Sequence, residues 1–234
     1  MKIDTAVVLA GGPGMRLRPV TERLPKALVK VYRKPLLQWV IEWLRDNDVK
    51  EIVLGVAHLK EKIIDYFGDG TNFDVNLRYS VHTIDGGTCE GFRLAIKRHI
   101  KKDVFFALNG DQITDLDLSD LGSFHEENNP TVTIVVTRPS CPFGHIQVND
   151  QNEATEFLEK PPCPVAMCSA GIYVFNREIF DCLPKKGDVE DSTFPRLARE
   201  RRLKVYPFNG FFVTVNTPKD LIEVENQLRR RITS

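Results

Sequence analysis

The chain has 234 residues, 42% of them hydrophobic, with 32 basic and 32 acidic side chains. That length and composition suit one globular domain with a sizeable core and exclude a fibrous or disordered chain. A net charge of zero removes any global pull toward nucleic acid or an anionic membrane, so only a local basic pocket remains to be found.

Five cysteines, Cys89, Cys141, Cys163, Cys168 and Cys182, are an odd number without CxxC spacing. They read as reduced thiols, not as a disulfide frame or a zinc site. The opening MKIDTAVVLAGG has no long apolar region and no small-residue cleavage pattern, and its apolar run is too short to span a bilayer. The expectation is a cytoplasmic protein with no membrane and no nucleic-acid partner; homo-oligomerisation stays open.

In chain order, Ala6 to Ala10 is a short apolar run whose β-branched residues favour a strand. It ends on Gly11-Gly12-Pro13-Gly14, which continues neither strand nor helix. Val29 to Val31 suits a brief strand. Pro35 then opens a helix in which Leu36, Val40, Trp43 and Leu44 recur at helical spacing. Glu51 to Ala57 reads as a second buried strand, Leu59 to Phe67 as a second helix stopped by Gly68, and Val75 to Val81 as a third strand. After the loop HTIDGGT comes a helix from Cys89 to about Ile100. A fourth strand, Val104 to Leu108, runs straight into Asn109-Gly110-Asp111.

The second half is richer in strands. Thr131–Thr137, Phe143–Val148 and Ala154–Lys160 are strand-like, the last two joined by a turn over Asn149–Asn152. Ala170–Phe175 is another buried strand. Phe194–Arg202 reads as a helix, LKVYPF and GFFVTV as strands, and Thr217-Pro218 as the start of a last helix. Arg229-Arg230-Arg231 is expected as a solvated terminus of that helix. Strands alternating with helices predict an α/β fold, a Rossmann-like three-layer αβα arrangement around a predominantly parallel mixed sheet with an added β-rich part.

In such sheets ligands sit beyond the carboxyl ends of the strands. The Gly11 loop, the Gly86 loop and Asp111 all fall there. Backbone N–H groups of a glycine loop, with Arg16, Arg18 and Lys26 close behind, suit a polyphosphate. Two phosphate fingerprints fail: Leu17 stands where a dinucleotide GxGxxG needs its third glycine, and no Gly-Lys-Ser/Thr closes a Walker A loop. A plain tight turn with solvated arginines remains open from the residues alone. Asp111, directly after a buried strand, is placed either to hold Mg²⁺ through oxygen or to close an Asx turn. Asp115 and Asp117 have no matching role and are expected as surface.

AGGPGMRLRP followed by LPKAL resembles the signature loop of the sugar-1-phosphate nucleotidyltransferases, GGxGTRLxP and then PK. Gly11, Gly12, Gly14, Arg16, Leu17, Pro19, Pro25 and Lys26 match it, and Met15 replaces the usual Thr or Ser. Asn109-Gly110-Asp111 resembles the family's metal-binding xGD. Gly86-Gly87-Thr88-Cys89-Glu90-Gly91 resembles its nucleobase segment. Phe143-Gly144 and Glu159-Lys160-Pro161 resemble its YG and EKP motifs, and Ser169-Ala170-Gly171-Ile172-Tyr173 its NAGIY. The last motif, GxWxDIGTPxD, is degraded to GFFVTVNTPKD. Thr214 stands at the usual metal-binding Asp, with Asn216 two residues on.

The resemblance implies the nucleotide-diphospho-sugar transferase fold. It implies one domain over residues 1–234, with about 1–115 binding nucleotide and about 116–234 binding sugar phosphate. It implies catalytic roles for Arg16, Lys26 and Asp111, and a nucleotide site of Leu9, Ala10, Gly11, Gly12, Gly14, Met15, Gly87, Thr88, Glu90 and Gly110. The sugar-phosphate side would be Gly144, Glu159, Lys160, Ser169 and Gly171. Mg²⁺ would rest on Asp111 with Asn216 or Thr214. The implied reaction joins the NMP of an NTP, GTP favoured, to a sugar 1-phosphate such as heptose or mannose 1-phosphate. Two alternatives stand beside it: a catalytically impaired nucleotide-sugar-binding regulator, motivated by Met15, Ser169 and Thr214, and a glycosyltransferase, for which Asp111-Gln112-Ile113 lacks the second carboxylate of a DxD pair.

Overall fold

Strand β1 (Thr5–Leu9) shows how the layers form. Its residues alternate, Ala6 and Val8 packing into one apolar cluster and Val7 into another, as the two-residue period of a strand requires. A strand that is apolar on both faces must be covered on both. The structure is a computed structural model that describes residues 2–139, 144–159, 161 and 166–233.

Beyond β1 come the short pair β2 (Lys30–Val31) and β3 (Lys34–Pro35), helix α1 (Leu36–Asp46), β4 (Glu51–Val56), α2 (Lys60–Phe67), β5 (Asn76–Val81), α3 (Gly87–His99), β6 (Val104–Asn109) and β7 (Gln112–Thr114). Then follow α4 (Leu118–Asn128), β8 (Val132–Thr137), the hairpin β9 (His145–Val148) and β10 (Ala154–Leu158), and β11 (Cys168–Asn176). The chain continues through α5 (Ile179–Cys182), α6 (Thr193–Arg199), β12 (Leu203–Pro207), β13 (Phe212–Thr214) and α7 (Pro218–Thr233).

The main sheet has seven strands in the order β12-β8-β11-β6-β1-β4-β5. Pairings of β1 with β4 and β6, of β4 with β5, and of β8 with β12 are parallel, while β11 runs antiparallel to both β6 and β8. It is a mostly parallel mixed sheet, as expected. On one face, α1, α2 and α4 cover Ala6, Val8, Phe106, Leu108, Ile172 and Val174. On the other, α3, α5 and α6 cover Val7, Phe105, Ala107, Tyr173 and Phe175. Within that second layer, Phe92 meets Phe175 edge-on with ring centroids 5.3 Å apart, a favoured aromatic geometry.

Helix α1 forms where the periodicity predicts it. Leu36, Leu37, Val40, Ile41 and Leu44 make its buried stripe behind Pro35. Trp39 and Trp43 pack at its flank, and each indole N–H finds a carbonyl, of Val31 at 3.0 Å and of Leu116 at 2.9 Å.

Asp115 and Asp117 lie at the surface as expected, and each has a structural partner there. Asp117 is the N-cap of α4, its carboxylate accepting from the backbone N–H of Ser119 and Asp120. Asp115 accepts from Phe211 N–H at 2.8 Å and from Arg231 at 2.6 Å. Arg231, which also covers the Phe211 ring, therefore ties α7 to the loop after β7. The hairpin β9–β10 stands apart from the main sheet and leaves Ile146, Val148 and Phe157 more than half exposed.

Candidate active site

The carboxyl ends of β1 and β6 lie side by side, and Gly110 N–H donates to the Leu9 carbonyl at 2.9 Å where the two strands finish. The glycine loop leaves β1 beside this point. Gly14 takes the left-handed conformation (φ 61°), where a Cβ is disfavoured. A side chain there would also press on Thr21 and on Cβ of Lys26, at 3.0 and 3.1 Å. Gly14 O accepts from Leu17 N–H and from the Thr21 hydroxyl. The single 3-10 turn Met15–Leu17 that follows leaves the N–H groups of Met15 and Arg16 outside its own bonding and free to meet an anion. Leu17 is buried among Val31, Leu36, Val215 and α7 residues, so the turn rests on a fixed base.

Three distant segments meet in front of this loop. Lys26 Nζ donates to Asp111 Oδ2 at 2.7 Å and to Asn216 Oδ1 at 2.9 Å. Arg16 Nη2 donates to the same Asn216 oxygen at 3.0 Å. Asn216 is held from behind. Its side-chain amide nitrogen donates to Thr214 Oγ1. The Asp220 carboxylate accepts from the backbone N–H groups of Asn216 and Thr217, and Asp220 N–H donates to the Thr217 hydroxyl oxygen. That reciprocal pattern caps the start of α7 and gives Asp220 a structural role.

These residues line a cavity of about 420 Å³, a size suited to a nucleotide-sized ligand. Its wall includes Leu9, Ala10, Gly11, Gly12, Gly14, Met15, Arg16, Lys26, Gly87, Thr88, Gly110, Asp111 and Asn216, all singled out from sequence. It also includes Pro13, Ala27, His82, Ile84, Asn109 and Asp188, which sequence reasoning passed over. Asn109, within the matched Asn-Gly-Asp, was within reach of that reasoning; nothing in the sequence around Asp188 or Ile84 marks either.

Other candidates lie elsewhere. Glu90 is absent from the wall; its Oε2 accepts from the N–H and hydroxyl of Thr83 at 2.7 Å, and those bonds hold its carboxyl below the usual range. Thr214 faces Asn216 and pairs with β7. Ser169 and Gly171 stand behind the wall. Ser169 Oγ accepts from Gly171 N–H, and a Cβ on Gly171 would come within 2.8 Å of the Asn109 amide. Gly144 and Glu159 meet at the base of the β9–β10 hairpin, where a Cβ on Gly144 would lie 3.3 Å from Glu159 Oε2. Lys160 and Phe143 lie outside the described residues. Cys89, Cys168 and Cys182 are free thiols, and burial pushes the Cys89 thiol up.

A glycine loop, two cations, one amide oxygen and the carboxylates of Asp111 and Asp188 surround one cavity, an arrangement suited to a phosphorylated ligand. The chain belongs to the nucleotidyl transferase family, whose model matches residues 5–231. It is 34% identical over 223 residues to mannose-1-phosphate guanyltransferase of Yarrowia lipolytica, covering 92% of this chain and 61% of that protein. It is 32% identical over 233 residues to UTP–glucose-1-phosphate uridylyltransferase of Synechocystis, covering 92% and 60%. The chain thus spans about three fifths of the length of these curated relatives. Its fold matches the crystal structure of HddC from Yersinia pseudotuberculosis with a TM-score of 0.76 at 22% identity, covering 97% of this chain and all of that one.

Proposed function

We propose that this protein is a sugar-1-phosphate nucleotidyltransferase, taking the nucleoside monophosphate from an NTP, with GTP favoured, and releasing pyrophosphate. The observation that carries the reading is Lys26 Nζ seated between Asp111 and Asn216 with Arg16 on the same amide oxygen. The sugar phosphate oxygen is anionic before it attacks the α-phosphorus, so no general base is required. Two anions must be aligned and their charge offset, which makes positioning and electrostatics the main sources of rate. The loop Gly11–Gly14 and Arg16 bind the triphosphate, Lys26 meets the charge that develops on the α-phosphate, and Gly144, Glu159, Lys160, Ser169 and Gly171 serve the sugar phosphate.

Asp111 and the Asn216 carbonyl are hard oxygen donors of the kind Mg²⁺ accepts. Mg²⁺ is commonly held by one or two carboxylates together with substrate phosphates, so one carboxylate and one amide oxygen fit it. Among the described residues no group of three or more His, Cys, Asp or Glu side chains is placed to hold a metal ion, and in this reading phosphate and water supply the remaining ligands. When bound, the ion offsets phosphate charge. The reading carries a cytoplasmic setting, with free thiols and no helix among the described residues long and apolar enough to cross a membrane. It treats residues 1–234 as one domain, the first half serving nucleotide and the second sugar phosphate.

The test is pyrophosphate release measured with each common NTP against mannose, glucose and heptose 1-phosphates, with Mg²⁺. Turnover with one pairing supports the reading. Binding without turnover in every pairing would transfer support to a nucleotide-sugar-binding regulator.

A further inference from the structure

Asp188 belongs to neither the glycine loop nor the Asp111 centre, yet it lines the same cavity. Its segment is fastened to the start of α3. Gly187 N–H donates to the Gly86 carbonyl at 3.0 Å, and the Gly187 carbonyl accepts from Cys89 N–H at 2.9 Å. The approach is so close that a Cβ on Gly87, at φ +63°, would fall 2.5 Å from Gly187 O and 2.6 Å from Asp188 Oδ1. Asp188 Oδ1 accepts from Thr88 N–H at 3.0 Å. The Thr88 hydroxyl accepts from Val189 N–H, and its own proton lies toward Glu190 Oε2 at 3.2 Å. Glu190 Oε1 in turn accepts from the buried Tyr173 hydroxyl at 3.3 Å.

This network fixes Asp188 through one oxygen. The described hydrogen bonds to its carboxylate fall on Oδ1, and Oδ2 has none. A carboxylate repels phosphate, so this part of the wall does not serve the polyphosphate, whose end is marked by Arg16 and Lys26. The positive start of α3, which would otherwise attract an anion, is already covered by Asp188 Oδ1. Leu9, Ala10 and Ile84 form an apolar stretch suited to a flat base, and Thr88 follows shortly after Ile84 along the same wall. With its base on that stretch and its phosphates on the glycine loop, a nucleotide turns its ribose toward Thr88 and Asp188. Hydroxyls are the donors a ribose can offer, and a carboxylate is the acceptor that fits them. Acidic side chains read ribose hydroxyls in this way in other phosphate-loop α/β folds.

We propose that Asp188 is a specificity-determining residue, accepting hydrogen bonds from the 2′ and 3′ hydroxyls of the bound nucleotide; the proposal rests on the nucleotidyl-transfer reading above. The experiment compares equilibrium binding and kcat/KM for GTP, 2′-deoxy-GTP and 3′-deoxy-GTP, or the same series of whichever NTP binds best. It uses the unaltered protein and the variants Asp188→Asn and Asp188→Ala. The Asp188→Asn side chain keeps an oxygen for Thr88 N–H, so the start of α3 stays in place. The unaltered protein is expected to prefer the ribonucleotide about tenfold or more over at least one deoxy analogue, the scale of losing a hydrogen bond to a charged group. In Asp188→Asn the ratio should collapse to within about twofold, because an amide there no longer presents a charged acceptor. Equal affinity for all three in the unaltered protein, or a ratio preserved in both variants, overturns the assignment and leaves the nucleotidyl-transfer reading standing. If no NTP of any base binds, that reading falls and this one with it.

Discussion

Replacing Lys26 with Met removes an ammonium that makes two hydrogen bonds, at 2.7 and 2.9 Å, to groups on the other side of the cavity. The Lys26 and Asp111 side chains are 16% and 28% exposed, so the pair is only partly shielded from water. At 2.7 Å its gross attraction is about 6 kcal/mol at an effective dielectric near 20, and desolvation offsets most of this. The expected loss of folding stability is about 1–2 kcal/mol. The effect on chemistry should be larger. A preorganised donor aimed at developing charge is worth about a hundred- to a thousandfold in kcat, or roughly 3–4 kcal/mol of barrier. Pyrophosphate release at saturating substrates measures the rate, and thermal unfolding of the same preparation measures the fold. Lys26→Arg restores charge but not the compact ammonium, and should recover only part of the rate. A Lys26→Met protein that unfolds within a few degrees of the unaltered one yet turns over at the same rate refutes the reasoning.

The same variant should bind Mn²⁺ more tightly without nucleotide, since Lys26 no longer neutralises Asp111; titration followed by electron paramagnetic resonance would read this, and unchanged affinity would count against a shared site. Gly11→Ala should destabilise by about 1–3 kcal/mol, because its Cβ would lie 2.9 Å from the Ala57 backbone nitrogen and 2.6 Å from the His82 ring; chemical denaturation checks it. Asp117→Ala should cost about 1 kcal/mol through the lost α4 cap with kcat unchanged. Burial holds the His125 imidazole below its usual pKa, so the unfolded chain takes up a proton more readily than the folded one. Stability from this group is present above about pH 6.5, the unfolded value, and is lost as pH falls from there through the lower folded value. His125→Gln should therefore flatten the difference in Tm between about pH 7.5 and about pH 5, and an unchanged slope would exclude the assignment.

The parts of the fold written in local pattern were legible in the sequence. A β-branched run ending in glycines predicts β1 and its loop, and a four-residue apolar recurrence behind Pro35 predicts α1. What escaped depends on partners far along the chain. Strand β7 is Gln112-Ile113-Thr114, polar enough to read as loop, and it is buried because β13 pairs with it. Helix α4 contains Ser119, Gly122 and Ser123, which weaken its apolar stripe, and its cap residue reads as an ordinary surface Asp. Arg231 and Asp115 meet across 116 residues, a contact no window of sequence displays. In the cavity, the glycine loop and Asp111 were visible because they follow strand ends, and Lys26 because it stands in the Pro-Lys pair behind the loop. Asp188 was not, because it arrives on an irregular segment whose position is set by its hydrogen bonds to α3. Asn216 rather than Thr214 turns its oxygen to the cations, a choice made by the cap of α7 that spacing alone left open.

Lys26 reaches partners 85 and 190 residues away. During vectorial synthesis the ribosome releases the glycine loop long before Asn216 emerges, so Arg16 and Lys26 are made well before the amide oxygen that orients them. An anion held by these oriented cations would favour the fold in which Asn216 is in place, by the mass-action relation between affinity and stability. Protease resistance conferred by such an anion would for that reason extend to the segment that carries Asn216.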